Sequence, residues 1–146
     1  MKLTGEQSIP ASRQRVWEGL NDPEILKQCI PGCEDITKTS DTEFSARVTA
    51  KVGPVKAGFK GKVMLSDLNP PASYRISGQG EGGVAGFAKG GATVALADKD
   101  GGTLLTYNVE AQIGGKLAQL GQRLINSAAK KTADDFFANF AKAVQQ

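Results

Sequence analysis

The chain contains no histidine, so it lacks the side chain that most often serves as a general base near neutral pH. It has only two cysteines, and without histidine or a third cysteine they cannot complete a zinc site. Aromatic residues make up 6% of the sequence, too few for a row of base-stacking platforms, and the formal charge of +3 is small. These absences argue against a metal centre, a histidine-based active site and nucleic-acid binding.

Long hydrophobic runs are also missing. No apolar segment approaches the roughly 18 residues that can cross a bilayer, and residues 1–6 lack an apolar signal core. We therefore expect a cytoplasmic protein with reduced thiols. Cys29 and Cys33 are separated by three residues, whereas a thioredoxin-type pair has two between its cysteines. We interpret them as structural thiols near a helix end, with a reactive pair as the alternative.

Alternating apolar and polar residues fill the middle of the chain. This pattern, with short turn signals between its segments, predicts an antiparallel meander of about six strands, most of it within residues 44–113. Many positions on the apolar side carry small residues, so a sheet curled around them could not fill its own interior. That interior must hold a helix or some other molecule. The small inner residues are Ala46, Ala50, Gly61, Gly78, Gly80 and Ala111.

Helical patterns flank this series. A short strand over residues 2–9 is followed by two short helices, the second with Pro23 near its first turn. After Gly114 and Gly115 the apolar period becomes 3.6, which predicts one helix of about 30 residues. The order predicts an α+β helix-grip fold, in which a curved antiparallel sheet wraps around the long C-terminal helix. We expect one domain over residues 1–146.

The spacing of Gly78, Gly80 and Gly83 matches the dinucleotide-binding fingerprint by letters. That fingerprint needs a following helix whose N-terminus receives pyrophosphate, whereas more glycine follows here. A flexible hairpin or a bulged strand pair is the better interpretation. With Phe87 as its apolar tip, this hairpin could gate the interior, or it could be a connection with no such role.

Short segments spread along nearly the whole chain form an ordered series. Each is weak alone, but the order in which they occur is specific. The segments are Val16-Trp17-Glu18, Asn21-Asp22-Pro23-Glu24, Cys29-Ile30-Pro31-Gly32-Cys33, Val52-Gly53-Pro54-Val55-Lys56, Phe59-Lys60-Gly61-Lys62-Val63, Gly80-Glu81-Gly82-Gly83, Gly86-Phe87-Ala88-Lys89-Gly90 and Gly114-Gly115-Lys116-Leu117-Ala118-Gln119-Leu120-Gly121.

This series resembles the CoxG family, the G subunits of carbon monoxide dehydrogenases, within the START-like (SRPBCC) helix-grip superfamily. The resemblance implies a non-catalytic accessory role beside an aerobic carbon monoxide dehydrogenase or a related molybdenum hydroxylase. It also implies help in recruiting that enzyme to the cytoplasmic membrane, and a hydrophobic ligand held between sheet and helix. It supplies no catalytic residue, and we assign no metal ligand and no cofactor.

A respiratory quinone is the preferred ligand, with a lipid as the alternative, because a soluble dehydrogenase must pass its electrons to a membrane carrier. The expected ligand-contacting residues are Ala46, Val48, Ala50, Phe59, Gly61, Val63, Tyr74, Ile76, Gly78, Phe87, Tyr107, Leu117, Leu120, Gly121 and Leu124. The polar face of the sheet is expected to dock an acidic partner or an anionic membrane, or else to be simply solvated. Its basic residues are Arg47, Lys51, Lys60, Lys62 and Arg75.

Two other functions stay open at this point. The chain could be a pure docking module with a solid interior and no ligand. It could also be a small hydrolase or cyclase of the same superfamily, for which a carboxylate would have to point into the interior.

Overall fold

The strands that the alternation predicts are present as one antiparallel sheet. The computed structural model describes residues 1–145, so Gln146, within the predicted domain 1–146, lies outside the described residues. Within them the sheet has seven strands. They are β1 (Lys2–Ile9), β2 (Cys33–Ser40), β3 (Glu43–Val52), β4 (Val55–Asn69), β5 (Ser73–Glu81), β6 (Phe87–Lys99) and β7 (Gly102–Gly114).

The strands pair in the order β1-β7-β6-β5-β4-β3-β2. Strands β2 to β7 form a meander of hairpins, and β1 closes the other edge by pairing with β7. Inner and outer positions alternate along most of the sheet, as the period of two requires, and register shifts interrupt the pairing in β2 and near the end of β4. The predicted flexible hairpin is more regular than expected, because β5 and β6 stay in register as far as Glu81 and Phe87. A 3₁₀ turn, Gly83–Ala85, joins them.

Two short helices follow β1, α1 (Arg13–Leu20) and α2 (Pro23–Cys29). The Ser12 hydroxyl caps α1 by accepting a hydrogen bond from the backbone N–H of Arg15 at 3.2 Å. The Asp22 carboxylate caps α2 in the same way, accepting from the N–H of Glu24 at 2.9 Å. Pro23 begins α2, where its missing N–H costs nothing.

The C-terminal helix is not the single helix of about 30 residues that we predicted. It consists of a short α3 (Lys116–Gln119) and a long α4 (Gln122–Val144). Gly121 separates them with a φ of +88°, a left-handed conformation that ends a helix and that glycine adopts readily. The long helix therefore starts later, and with a different phase, than one continuous helix would.

The core lies between the sheet and the C-terminal half of α4. Phe140 is completely buried, and a Cβ atom added to Gly19 of α1 would lie 2.9 Å from Val144. Two side-chain hydrogen bonds fix this half further. Arg15 Nε donates to the Val144 carbonyl at 3.3 Å, and Asn139 Nδ2 donates to the Cys29 carbonyl at 3.1 Å. Helices α1 and α2 thus hold the C-terminal half of α4 against the sheet.

Both cysteines are free thiols in different surroundings. Cys29, the last residue of α2, is fully buried, and this burial raises the pKa of its thiol. Cys33 is half-buried at the start of β2, where its Sγ lies 3.6 Å from the Asp35 carbonyl.

We expect a thiol reagent to modify Cys33 in the native protein well before Cys29. The thiolate is the reacting form, and both burial and the raised pKa suppress it at Cys29. Timed labelling with mass spectrometry, in the wild type and in Cys33→Ser, measures the two rates. Equal rates in the native protein would contradict this description of the two sites.

Candidate functional site

An apolar cavity of about 590 Å³ lies between the inner face of the sheet and the N-terminal half of α4. Its walls come from β1, β3 to β7, the connection after α2, and α3. The inner residues of β6 and β7 alternate correctly to reach it, with Ala92 opposite Val109 across the pair. Along α4 the lining residues recur with helical spacing, from Ile125 to Phe137.

The chemistry of this lining is almost entirely hydrocarbon. Among the lining side chains of residues 1–145, only Tyr107 and Thr132 carry a hydroxyl, and none carries a carboxylate, an amine or a thiol. The Tyr107 ring stacks on Phe137 with centroids 5.5 Å apart and lies directly over Gly5, where a Cβ atom would collide with the phenol. The cavity can therefore hold a large apolar molecule and offer it few polar contacts.

The position of the cavity follows from how α4 is held. Phe140 and Val144 are buried by α1 and α2, whereas Ala128, Ala129 and Thr132 face the sheet with side chains too small to reach it. Small residues on the opposing strands, Ala92 among them, widen the gap. One half of the interior is packed, and the other half is the cavity.

The structure brings five of the fifteen predicted ligand-contacting residues to this lining. They come from four strands and from α3, and all face inward. The five are Ala50, Phe59, Ile76, Tyr107 and Leu117.

The other predicted residues on β3 to β5 lie outside the cavity. The connection after α2 lies beside β3, held by a 2.9 Å hydrogen bond from the Thr49 N–H to the Gly32 carbonyl, and its residues Ile30 and Pro31 form the wall there instead. Tyr74 is part of the packed core, where it meets Trp17 edge to face at 5.2 Å, and burial raises its pKa. The residues placed outside are Ala46, Val48, Gly61, Val63, Tyr74 and Gly78.

Four predicted residues near the cavity's end also fall outside its lining. The break at Gly121 turns Leu124 toward the β3–β4 turn, where it lies against Gly53 and is 37% exposed. Leu120 belongs to the same break. Phe87 is 46% exposed and borders a second pocket of about 550 Å³ that shares Met1, Ala111, Ile113 and Ile125 with the main cavity. Phe87 therefore lies beside the main cavity and outside its lining. The four are Phe87, Leu120, Gly121 and Leu124.

Sequence reasoning missed much of the lining. Small residues alternate on β6 at Ala88 and Ala92, and they recur with helical spacing at Ala128, Ala129 and Ala133. This is the same signal as the one from which we predicted ligand contacts on the other strands. No sequence signal marked Met1, Ile30 or Pro31, since their contribution depends on how the chain folds back.

The five basic residues predicted for a docking face are all exposed on the outer side of the sheet. The face is of mixed charge, because Arg47 Nε lies 3.3 Å from the Asp35 carboxylate and Lys60 is opposite Glu81 in the β4–β5 register. The five are Arg47, Lys51, Lys60, Lys62 and Arg75. A role in docking stays a prediction.

Comparison with solved structures agrees with this architecture. A conserved protein from Geobacillus kaustophilus superposes with a TM-score of 0.93 at 31% identity, covering 99% of this chain and 95% of that one. A START superfamily protein from Mycobacterium smegmatis gives 0.74 at 12% identity, with coverages of 99% and 97%. The ZhuI aromatase/cyclase from Streptomyces sp. R1128 gives 0.67 at 12% identity, with coverages of 99% and 93%. No curated protein matches the sequence.

These superpositions confirm the predicted START-like helix-grip fold, a curved antiparallel sheet around a C-terminal helix. The sequence also identifies the protein family within this class of fold. Residues 5–145 match the model of CoxG, the G subunit of carbon monoxide dehydrogenase, and the chain belongs to the CoxG family. Within residues 1–145 no helix is long and apolar enough to span a bilayer.

Proposed function

We propose that this chain is a non-catalytic accessory protein of an aerobic carbon monoxide dehydrogenase or a related molybdenum hydroxylase, and that it carries a hydrophobic molecule in its cavity. The observation that carries the proposal is the cavity of about 590 Å³ with only two hydroxyls among its lining side chains. This volume falls within the range of about 300–1,000 Å³ typical of small-molecule sites. A solid docking module would not have such an interior.

A respiratory quinone fits this lining best. Its isoprenoid tail needs a long hydrocarbon surface, and its carbonyl oxygens can accept hydrogen bonds from hydroxyls such as those of Tyr107 and Thr132. A quinone would also link a dehydrogenase in the cytoplasm to the inner face of the cell membrane. Membrane lipid is the alternative occupant.

Extraction of the protein, purified from its own host without detergent, tests the ligand proposal. We expect mass spectrometry to detect one quinone or lipid species in the organic extract, in near-stoichiometric amount. An equal amount of an unrelated protein from the same host is the control for carry-over. An extract indistinguishable from that control would overturn the proposal.

The chemistry of the cavity also bears on the enzyme alternative. A hydrolase or cyclase would need an acid or base within reach of the ligand. Among the lining residues that the structure describes, Tyr107 is the only one with a titratable side chain, and the groups that most often form a catalytic pair, carboxylate and thiol, are missing from that set. A carrier role therefore fits the lining better than catalysis does.

The outer basic face is the part of the chain that we propose for contact with the dehydrogenase. Replacing Lys60 and Lys62 together by glutamate is expected to slow association about tenfold at low ionic strength, because exposed charges act mainly on the association rate. Surface plasmon resonance at two salt concentrations measures it. Lys99→Glu/Lys142→Glu reverses two exposed charges elsewhere and should have little effect. Equal rates for both variants would contradict the assignment.

A further inference from the structure

At one end of the cavity, loops place large apolar side chains in solvent. Of the exposed large apolar residues in the described chain, three lie here: Val84 at 84%, Phe87 at 46% and Leu124 at 37%. Val84 lies in the turn between β5 and β6, Phe87 begins β6, and Leu124 lies in the first turn of α4. Exposed apolar residues grouped in this way mark an interaction surface.

Close contacts show that these loops form one end of the molecule. Leu124 lies against Gly53 in the β3–β4 turn. Phe87 pairs with Gly114 at the end of β7, and the backbone of Gly86 lies against Gly115 just before α3. We call this region the mouth, defined as residues 51–56, 81–87 and 113–124.

The charge of the mouth is strongly one-sided. Its three segments contain four cations and a single acid, Glu81. All four cationic side chains are exposed. The cations are Lys51, Lys56, Lys116 and Arg123. Apolar tips surrounded by cations are the combination that attaches a protein to the surface of an anionic bilayer, where the tips enter the acyl region and the cations meet the phosphates.

The cavity extends as far as the same surface. Val52, Ala88, Ile113 and Leu117 line the cavity, and each lies within or beside one of the mouth segments. A water-insoluble molecule leaving the cavity here would pass directly into a bilayer that covers the mouth, without crossing water. We propose that the mouth, and not the outer face of the sheet, is the surface that docks on an anionic lipid membrane.

This inference rests on the proposed carrier function, and it separates two surfaces that the sequence could not distinguish. The outer face of the sheet stays available to a protein partner while the mouth contacts lipid. Only Lys51 belongs to both the predicted docking face and the mouth.

Co-sedimentation with vesicles tests the proposal. Vesicles of phosphatidylcholine with one third phosphatidylglycerol are compared with vesicles of phosphatidylcholine alone, at low and high salt. The wild type is expected to bind the anionic vesicles and to lose most of that binding at high salt, because exposed charges are screened. Val84→Ser/Phe87→Ser and Lys56→Glu/Arg123→Glu are each expected to weaken binding at least about tenfold.

Matched controls carry the same changes elsewhere. Met64→Ser/Leu68→Ser removes two exposed apolar residues away from the mouth, and Lys62→Glu/Arg75→Glu reverses two charges on the outer face that pair with no residue of the mouth. Both should bind vesicles within about twofold of the wild type. Equal loss in controls and mouth variants, or no vesicle binding by the wild type, overturns the proposal. Loss of dehydrogenase binding in the mouth variants, with vesicle binding intact, overturns it too and identifies a protein interface.

Ligand extraction from the same variants separates this proposal from the one on which it rests. Mouth variants that retain extractable ligand but no longer bind vesicles support the lipid-docking surface. A protein that binds anionic vesicles through the mouth but yields no ligand would leave the surface supported and the carrier function overturned.

Discussion

Replacing Ala92 by phenylalanine should reduce quinone or lipid binding at least tenfold, or about 1.4 kcal/mol. Ala92 lies at the centre of the cavity wall, opposite Ile76 on β5 and Val109 on β7, and both of those residues also line the cavity. An aromatic ring there would occupy the volume that the ligand needs. Titration with a short-tailed quinone, followed by retention of ligand on a desalting column, measures the effect.

The free energy of unfolding of the variant shows whether a loss of ligand binding is specific to the cavity. Because the new ring enters existing space, we expect the free energy of unfolding to be unchanged or slightly higher, as for other cavity-filling substitutions. Ala97→Phe, on the outer side of the same strand, is the matched control and should bind ligand normally. Normal ligand binding by Ala92→Phe would place the ligand somewhere other than this cavity.

The second large effect concerns the two halves of α4. Phe140→Ala is expected to lower the free energy of unfolding by about 3–5 kcal/mol, the usual cost of removing a fully buried phenylalanine. Ile125→Ala should cost only about 1 kcal/mol, because Ile125 is half-buried and already borders the cavity. Urea denaturation of the wild type and of both variants, with equal m-values, gives the two losses in the free energy of unfolding.

The contrast between the two variants matters more than either value. Each substitution truncates a large apolar side chain on the same helix to alanine, so helix propensity hardly distinguishes them. Similar losses, each above about 3 kcal/mol, would mean that the N-terminal half of α4 is packed as tightly as the C-terminal half. The cavity would then not exist in solution.

The layout of the fold could be read from the sequence because its signals are local. A period of two along the strands, a period of 3.6 in the C-terminal region, and turn residues such as Gly53 and Pro54 each depend on nearby residues alone. The resemblance to the CoxG family depended on ordered short segments and is confirmed over residues 5–145. Inner and outer faces of the strands followed from the same alternation.

The place of the cavity could not be read in this way. Which small residues stay uncovered depends on the connection at Ile30 and Pro31 and on the break at Gly121. Both are tertiary features with no periodic signal. The cavity consequently lies nearer β6, β7 and β1 than we predicted, and Ala46, Gly61 and Gly78 do not line it.

The same limit applies to the docking surfaces. Alternation identifies the outer face of the sheet, so Lys60 and Lys62 were easy to assign to a surface. The mouth is assembled from three segments far apart in the chain, and no single segment is conspicuously basic or apolar. Only the fold brings Val84, Phe87 and Leu124 to one end.

A crystal structure of the protein purified from its own host, without detergent, would show whether the cavity carries an apolar molecule. We expect elongated electron density that runs from Tyr107 along Ala92 and Ala129 toward Leu117. Side chains that close this space, or density accounted for by water alone, would contradict the carrier function.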